Sequence, residues 1–299
     1  MGLTTCLLGF SGACRSLIFS EGNRYTGRLL LLVGAALGAL GCSVTVDAER
    51  KQCSTDADCA ERGAAFTGSV CRNQVCEMDP QWACLGEPPA TSVGAGPFRV
   101  KMSAIDLIKR MPLTGVRVDL CRKVDVSCAE PVSTEQTDAT GSVSLTVEAA
   151  FSGYAWLQAD GFVPTLYFFN PPIDSDQEIP PLSLSTLASR GALLGQLGAD
   201  VARGDILVTA QDCQGKPAAG VSFSVTPADP EAIAYYLVNG LPTGGVTTTD
   251  ATGYGGFMNL STNATTVTAT LAGSKTVIGT LGLVVRGGSA TWSRFAFKP

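Results

Sequence analysis

Eleven cysteines, an Asp56-x-Asp58 pair, a twice-used TDATG and a Tyr235-Tyr236 doublet carry what chemistry this chain could do, and none of its 299 residues is histidine. Without imidazole there is no Ser-His-Asp or Cys-His catalysis and no zinc site that needs a histidine ligand. Carboxylate pairs, a Ser-Lys dyad and oxygen-ligated cations remain. The acidic residues are scattered, with no pair set apart as a glycosidase requires. No catalytic residue is therefore assigned, and no enzyme activity, metal or cofactor is expected. Asp56 and Asp58 could ligate Ca²⁺, but such an ion wants six or more oxygens and no others are visible nearby. A solvated turn is the simpler reading.

The cysteines take their meaning from the chain's address. Arg24 and Arg28 precede an apolar run, Leu29–Leu40, of 12 residues. As a helix it reaches ~18 Å, short of a ~30 Å hydrocarbon core, so it reads as the apolar region of a signal peptide. The four residues that close it, Ala39-Leu40-Gly41-Cys42, resemble the lipobox of bacterial lipoproteins. That resemblance implies cleavage before Cys42 and lipid on Cys42. Ser43, standing where Asp would favour inner-membrane retention, implies the outer membrane. An ordinary secretory signal with an incidental Cys is the competing reading. Residues 1–23 fit neither and read as an overextended start; MGLTTC has Cys6 where myristoylation wants Ser or Thr.

Removing residues 1–41 takes away Arg15, Arg24, Arg28 and Glu21, leaving 18 basic and 25 acidic residues. This net −7 surface has no basic run. It argues against nucleic acid and against binding anionic headgroups, so membrane contact must come from the lipid.

With Cys6 and Cys14 upstream and Cys42 lipidated, eight cysteines remain: Cys53, Cys59, Cys71, Cys76, Cys84, Cys121, Cys128 and Cys213. An even count in an exported chain indicates disulfides. The first four are spaced C-x5-C-x11-C-x4-C, wider than the C-x2-C pairs of zinc knuckles. They resemble the small Cys-rich segments just behind the lipid anchor in many myxobacterial lipoproteins. Cys121 and Cys128 bracket RKVDVS and suit a bridge at a strand end. Cys84 and Cys213 are left, and eight cysteines allow 105 connectivities, so the pairing stays open.

The elements that must carry these residues are strands. Gly115–Leu120, Ser142–Val147 and Gly220–Val225 alternate apolar and polar with period two. TDATG lies at Thr137–Gly141 and again at Thr249–Gly253, each time at the entrance to a strand. Asp at i and Gly at i+3 are what a type I turn prefers. The pentapeptide therefore reads as a hairpin turn and not as a catalytic or phosphate loop. PLTGVRVDL also matches KPAAGVSFSV, and Ala159-Asp-Gly-Phe162 has a fainter counterpart at Ala269–Gly273.

A G-V-x-V strand, a T-D-x-x-G turn and a late A-x-G-[YF] together resemble the carboxypeptidase regulatory-like family, a transthyretin-like β-sandwich. In metallocarboxypeptidases that module holds no active site, and the zinc-binding His of the catalytic domain is absent here. The expected fold is all-β: two tandem transthyretin/Ig-like β-sandwiches behind a signal peptide and a small disulfide-rich segment. The expected boundaries are 1–41 signal region, 42–90 Cys-rich segment, 97–187 first sandwich, 188–203 linker and 204–299 second sandwich. A short helix over Ser185–Leu197, capped by Ser185, fits the linker region. VVRGGSATWSRFAF reads as a hairpin turning at Gly287-Gly288.

Two functions compete. One is a lipid-anchored, non-enzymatic envelope protein whose Cys-rich stalk lifts the sandwiches off the membrane for binding or structural roles, with an envelope protein as partner. The other is a carbohydrate-binding surface module, stacking sugar rings on exposed aromatics. Tyr235, Tyr236 and Trp82 are its candidates, with Trp156 and Trp292 behind them. Trp156 has strand spacing and reads as core. One of Tyr235 and Tyr236 should face outward, since neighbours in a strand point opposite ways.

Overall fold

The computed structural model describes residues 51–63, 66–85 and 96–296. The signal region and Cys42 lie outside them. Within this unit the chain is all-β, with two short helices.

The Cys-rich segment is a small knot. Helix α1 (Asp56–Ala60) faces a hairpin of β1 (Ser69–Arg72) and β2 (Val75–Met78). Asn73 and Gln74 take positive φ of 50° and 66°, the geometry a two-residue hairpin loop needs. Cys53–Cys71 and Cys59–Cys76 fasten the helix and its lead-in to the hairpin. A segment this small has little core of its own, and the cross-links replace it.

The first sandwich comprises β3 (Phe98–Asp106), β4 (Arg117–Arg122), β5 (Ser133–Gln136), β6 (Ser142–Val147), β7 (Gly153–Gln158), β8 (Thr165–Phe168), β9 (Gln177–Glu178) and β10 (Leu182–Leu184). The second comprises β11 (Gly204–Ala210), β12 (Val221–Thr226), β13 (Ile233–Val238), β14 (Leu241–Thr243), β15 (Tyr254–Leu260), β16 (Asn263–Leu271), β17 (Val277–Val285) and β18 (Ala290–Phe295). The halves pair their strands alike. β10 runs parallel to β3, as β18 does to β11. β3 pairs β6, as β11 pairs β15. β4 pairs β7 and β7 pairs β8, as β12 pairs β16 and β16 pairs β17.

One sheet runs through both halves. β18 also pairs in parallel with β8, from Ala290↔Thr165 to Trp292↔Tyr167. The result is a nine-stranded sheet in the order β14-β13-β15-β11-β18-β8-β7-β4-β5. Side chains alternate across it. Tyr154, Leu166 and Phe168 belong to the core shared with β12, β16 and β17, while Ala155, Leu157 and Tyr167 belong to the core under β3, β6 and β10. The two smaller sheets thus cover opposite faces of the common one.

The C-terminal segment departs from the hairpin expected at Gly287-Gly288. β17 lies in the small sheet and β18 in the common sheet, so the turn carries the chain across the sandwich. Two edges compete for β18, and it takes both, between β11 and β8. The helix of the linker region is α2 (Leu187–Leu197), capped by Thr186 and not Ser185. Thr186 Oγ1 accepts the Ser189 amide at 3.1 Å, and Ser185 instead accepts the Val163 amide on its carbonyl. Gly198 ends the helix at φ 70°.

Candidate functional site

The two TDATG copies are structural, and they close their turns with the same bonds. Gly141 N–H donates to Asp138 O at 2.9 Å and Gly253 N–H to Asp250 O at 3.0 Å, closing each turn. Asp138 Oδ1 accepts the amides of Thr140 and Ser142, and Asp250 Oδ1 that of Thr252. Neither turn closes a hairpin: the first passes between sheets, because β5 and β6 lie in different ones, and the second stays in the common sheet, where β13 separates β14 from β15. The first Thr of the motif went unread in the sequence. Thr137 and Thr249 are buried. Thr137 Oγ1 donates to Leu113 O and accepts from Val116 N–H; Thr249 Oγ1 does the same with Ala218 O and Val221 N–H. Buried amides and carbonyls need such partners.

The carboxylates of Asp56 and Asp58 also serve the backbone. Asp56 Oδ1 accepts Cys71 N–H at 2.8 Å, and Asp58 Oδ2 accepts Thr55 N–H at 3.0 Å as part of a capping box on α1. The sulfurs of Cys53, Cys59 and Cys76 approach within 4.8 Å of one another, but all three are in disulfides and none is a thiolate. The remaining bridges are Cys121–Cys128 and Cys84–Cys213.

Cys84–Cys213 changes the picture of a free stalk. It fastens the Cys-rich segment to the second sandwich, helped by Cys213 N–H to Gln81 O at 3.0 Å and Gln214 Nε2 to Pro80 O at 2.9 Å. Trp82, on the 3-10 turn Pro80–Trp82, enters that sandwich's core and is 4% exposed. The reading of Trp82 as an exposed platform fails for this reason.

Tyr235 and Tyr236 fail likewise, at 5% and 3% exposure. They do point opposite ways, but both faces of the common sheet are covered. Tyr236 stacks on Phe223 with centroids 5.8 Å apart and accepts Phe223 N–H on its hydroxyl. Tyr235 meets Leu194 of α2 and donates to Ile206 O at 3.2 Å. Burial pushes both phenols above their ordinary pKa, Tyr235 far above it. Trp156, read from its spacing as core, is only half-buried and packs against the core, with the Arg286 guanidinium 4.1 Å from its ring centroid. Arg286 also donates to Val126 O and the Tyr154 hydroxyl, gripping the Cys121–Cys128 loop from the second half.

What the aromatic reading missed is a cavity of about 640 Å³. It is floored by the common sheet through Leu207, Leu237, Met258 and Trp292, and walled by α2 on one side and by Leu107, Ile108 and Pro181 of the first sandwich on the other. Its volume falls in the range of small-molecule sites. Tyr235 contributes to its lining. Arg190 and Asp205 form the buried polar pair beside it, Nε to Oδ2 at 2.7 Å, with side chains 8% and 13% exposed. Arg190 further donates to Val201 O and Arg203 O, both at 2.8 Å. Burial pushes the Asp205 carboxyl up, against the pull of Arg190. No local pattern marks these residues in the sequence; they come from α2, β11, β13, β15, β18 and loops of the first sandwich, which only folding assembles.

No family model matches the chain, and no curated protein matches it. Among solved structures it is similar to the shaft pilin spaA from Lactobacillus rhamnosus GG, at 11% identity, over 68% of this chain and 100% of that one, with a TM-score of 0.24. It is similar to the Bacillus anthracis TIE protein at 13% identity over 66% of this chain, with a TM-score of 0.24, and spans 32% of that protein's length. A 3-chlorocatechol 1,2-dioxygenase from Rhodococcus opacus 1CP is matched at 11% identity over 33% of this chain and 64% of that one, with a TM-score of 0.24. At such TM-scores these likenesses decide nothing about activity.

Proposed function

We propose that the chain is an exported, non-enzymatic protein of the bacterial cell envelope, held at the outer membrane by lipid on Cys42. Its two sandwiches serve a structural or binding role. The observation that carries this reading is that all eight cysteines downstream of Cys42 are in four disulfides, the chemistry of an oxidising compartment. The apolar run ending in Ala39-Leu40-Gly41-Cys42 supplies the anchor. The carbohydrate alternative loses its support, since Tyr235, Tyr236 and Trp82 are core residues.

Mass spectrometry of the N-terminal peptide from membranes is expected to find a diacylglyceryl group on Cys42, and Cys42→Ser to release the chain into the soluble fraction. An unmodified peptide reading through Gly41-Cys42 refutes the anchor. Turnover of any generic esterase, peptidase or glycosidase substrate by the purified chain refutes the non-enzymatic reading.

A further inference from the structure

The depth of the cavity is apolar, with Leu193, Leu194, Leu207, Leu237 and Met258 around it. The buried donors there are engaged with the protein. The Arg190 guanidinium holds Asp205 and two carbonyls, and the Tyr235 hydroxyl holds Ile206 O. An incoming molecule therefore meets mainly hydrocarbon at depth, with Asp205 Oδ1 the one buried lining oxygen left without a hydrogen-bond partner among the described residues. The mouth is different. Ile108 from the first sandwich and Leu241 from the second both line it and are 67% and 69% exposed. Arg110 lines it too, is exposed, and makes no ion pair among the described residues. The neighbouring Asp106 makes no ion pair with it; its Oδ1 accepts the Ile108 and Lys109 amides, both at 2.8 Å. The lining holds two guanidinium groups, Arg110 and Arg190, against one carboxylate, Asp205. This local positive excess stands in a chain of net charge −5.

The geometry points to a binding site for a single-chain anionic amphiphile, its hydrocarbon chain in the cavity and its carboxylate or phosphate head at Arg110. Burial of the chain supplies affinity. The free guanidinium supplies selection for an anion, through charge-assisted hydrogen bonds at the rim. Arg190 does not take the head, since its donors are already engaged with Asp205, Val201 and Arg203. The inference rests on the binding role proposed above and is independent of the lipid anchor.

The test uses the full chain carrying Cys42→Ser, purified without detergent, so that a failed anchor and a failed site give separate readouts. 1-Anilinonaphthalene-8-sulfonate is bound and then displaced with decanoate, decyl phosphate, decanol or decylamine. At least one anionic competitor is expected to act at about tenfold lower concentration than both decanol and decylamine, the size of one charge-assisted hydrogen bond. The better of the two anions identifies the head. Arg110→Gln, on an exposed loop, is expected to bring that anion to the level of decanol. Leu237→Trp, which fills the cavity, is expected to abolish displaceable probe binding while a thermal melt shows the chain folded. If Leu237→Trp does not fold, Arg110→Gln decides alone. Equal competition by decanol and both anions, or an anionic advantage that survives Arg110→Gln, overturns the proposal.

Discussion

Thr137 and Thr249 stand 112 residues apart and make the same pair of side-chain bonds, each hydroxyl donating to the carbonyl that opens one G-V strand and accepting the amide of that strand's valine. Each also pairs its own amide and carbonyl with that segment, Thr137 with Val116 and Gly115, Thr249 with Val221 and Gly220. The recurrence of TDATG is thus a recurrence of one fastening between two sheets. Thr137→Val and Thr249→Val keep the shape but leave a buried amide and carbonyl unpaired. Each is expected to cost about 1–3 kcal/mol in denaturant melts, with Thr→Ser near wild type.

Gly141 and Gly253 close the same turns at φ of 74° and 71°. A Cβ on Gly141 would lie 2.6 Å from Ala104 O, and on Gly253 2.5 Å from Ala210 O. Gly141→Val and Gly253→Val are expected to cost about 2–4 kcal/mol each, left-handed strain plus a backbone collision. Asp138→Asn is expected to be nearly silent, because Asn makes the same turn bonds. A Ca²⁺-dependent rise in the wild-type melting temperature, lost in Asp138→Asn or Asp250→Asn, contradicts the turn assignment.

The Cys84–Cys213 bridge closes a separation of 129 residues. Loops this long lose the most chain entropy when cross-linked in the unfolded state. Replacing both with Ser is expected to lower stability by about 2–5 kcal/mol and to expose the Cys-rich segment to proteases. Cleavage within residues 51–85 at the wild-type rate contradicts the docking of that segment.

Acid should weaken the fold. Asp138 is held below the usual carboxylate range by the Thr140 hydroxyl first, then by the Ser142 and Thr140 amides. The Thr252 hydroxyl and amide do the same for Asp250, the Glu130 amide for Asp125 and the Ser261 amide for Asp229. A carboxylate with a lowered folded-state pKa binds fewer protons folded than unfolded. Its stabilisation is complete above the unfolded value of about 4 and is lost as pH falls through the folded one. Asp205, raised by burial, acts in the opposite sense and opposes part of the loss. The melting temperature is expected to be flat near neutrality and to fall below about pH 4. An unchanged melt down to pH 2 contradicts this.

Local chemistry was legible in the sequence where the partners are close along the chain. Asp138, Thr140 and Gly141 make their turn among themselves, so five letters were enough to read it. The even cysteine count implied full pairing, and period-two alternation implied strands. Tertiary structure decided everything that needed distant partners. Alternation says that Tyr235 and Tyr236 point opposite ways, but not that α2 covers one side and β12 the other. The pairing of Ala290 with Thr165 joins two halves into one sheet, and no local pattern announces a strand with two suitors. The cavity follows from that union, because its walls belong to separate sandwiches that β8 and β18 bring edge to edge. Backbone hydrogen bonds between strands are the same for every residue type, so which edges meet is chosen by side-chain burial over the whole molecule.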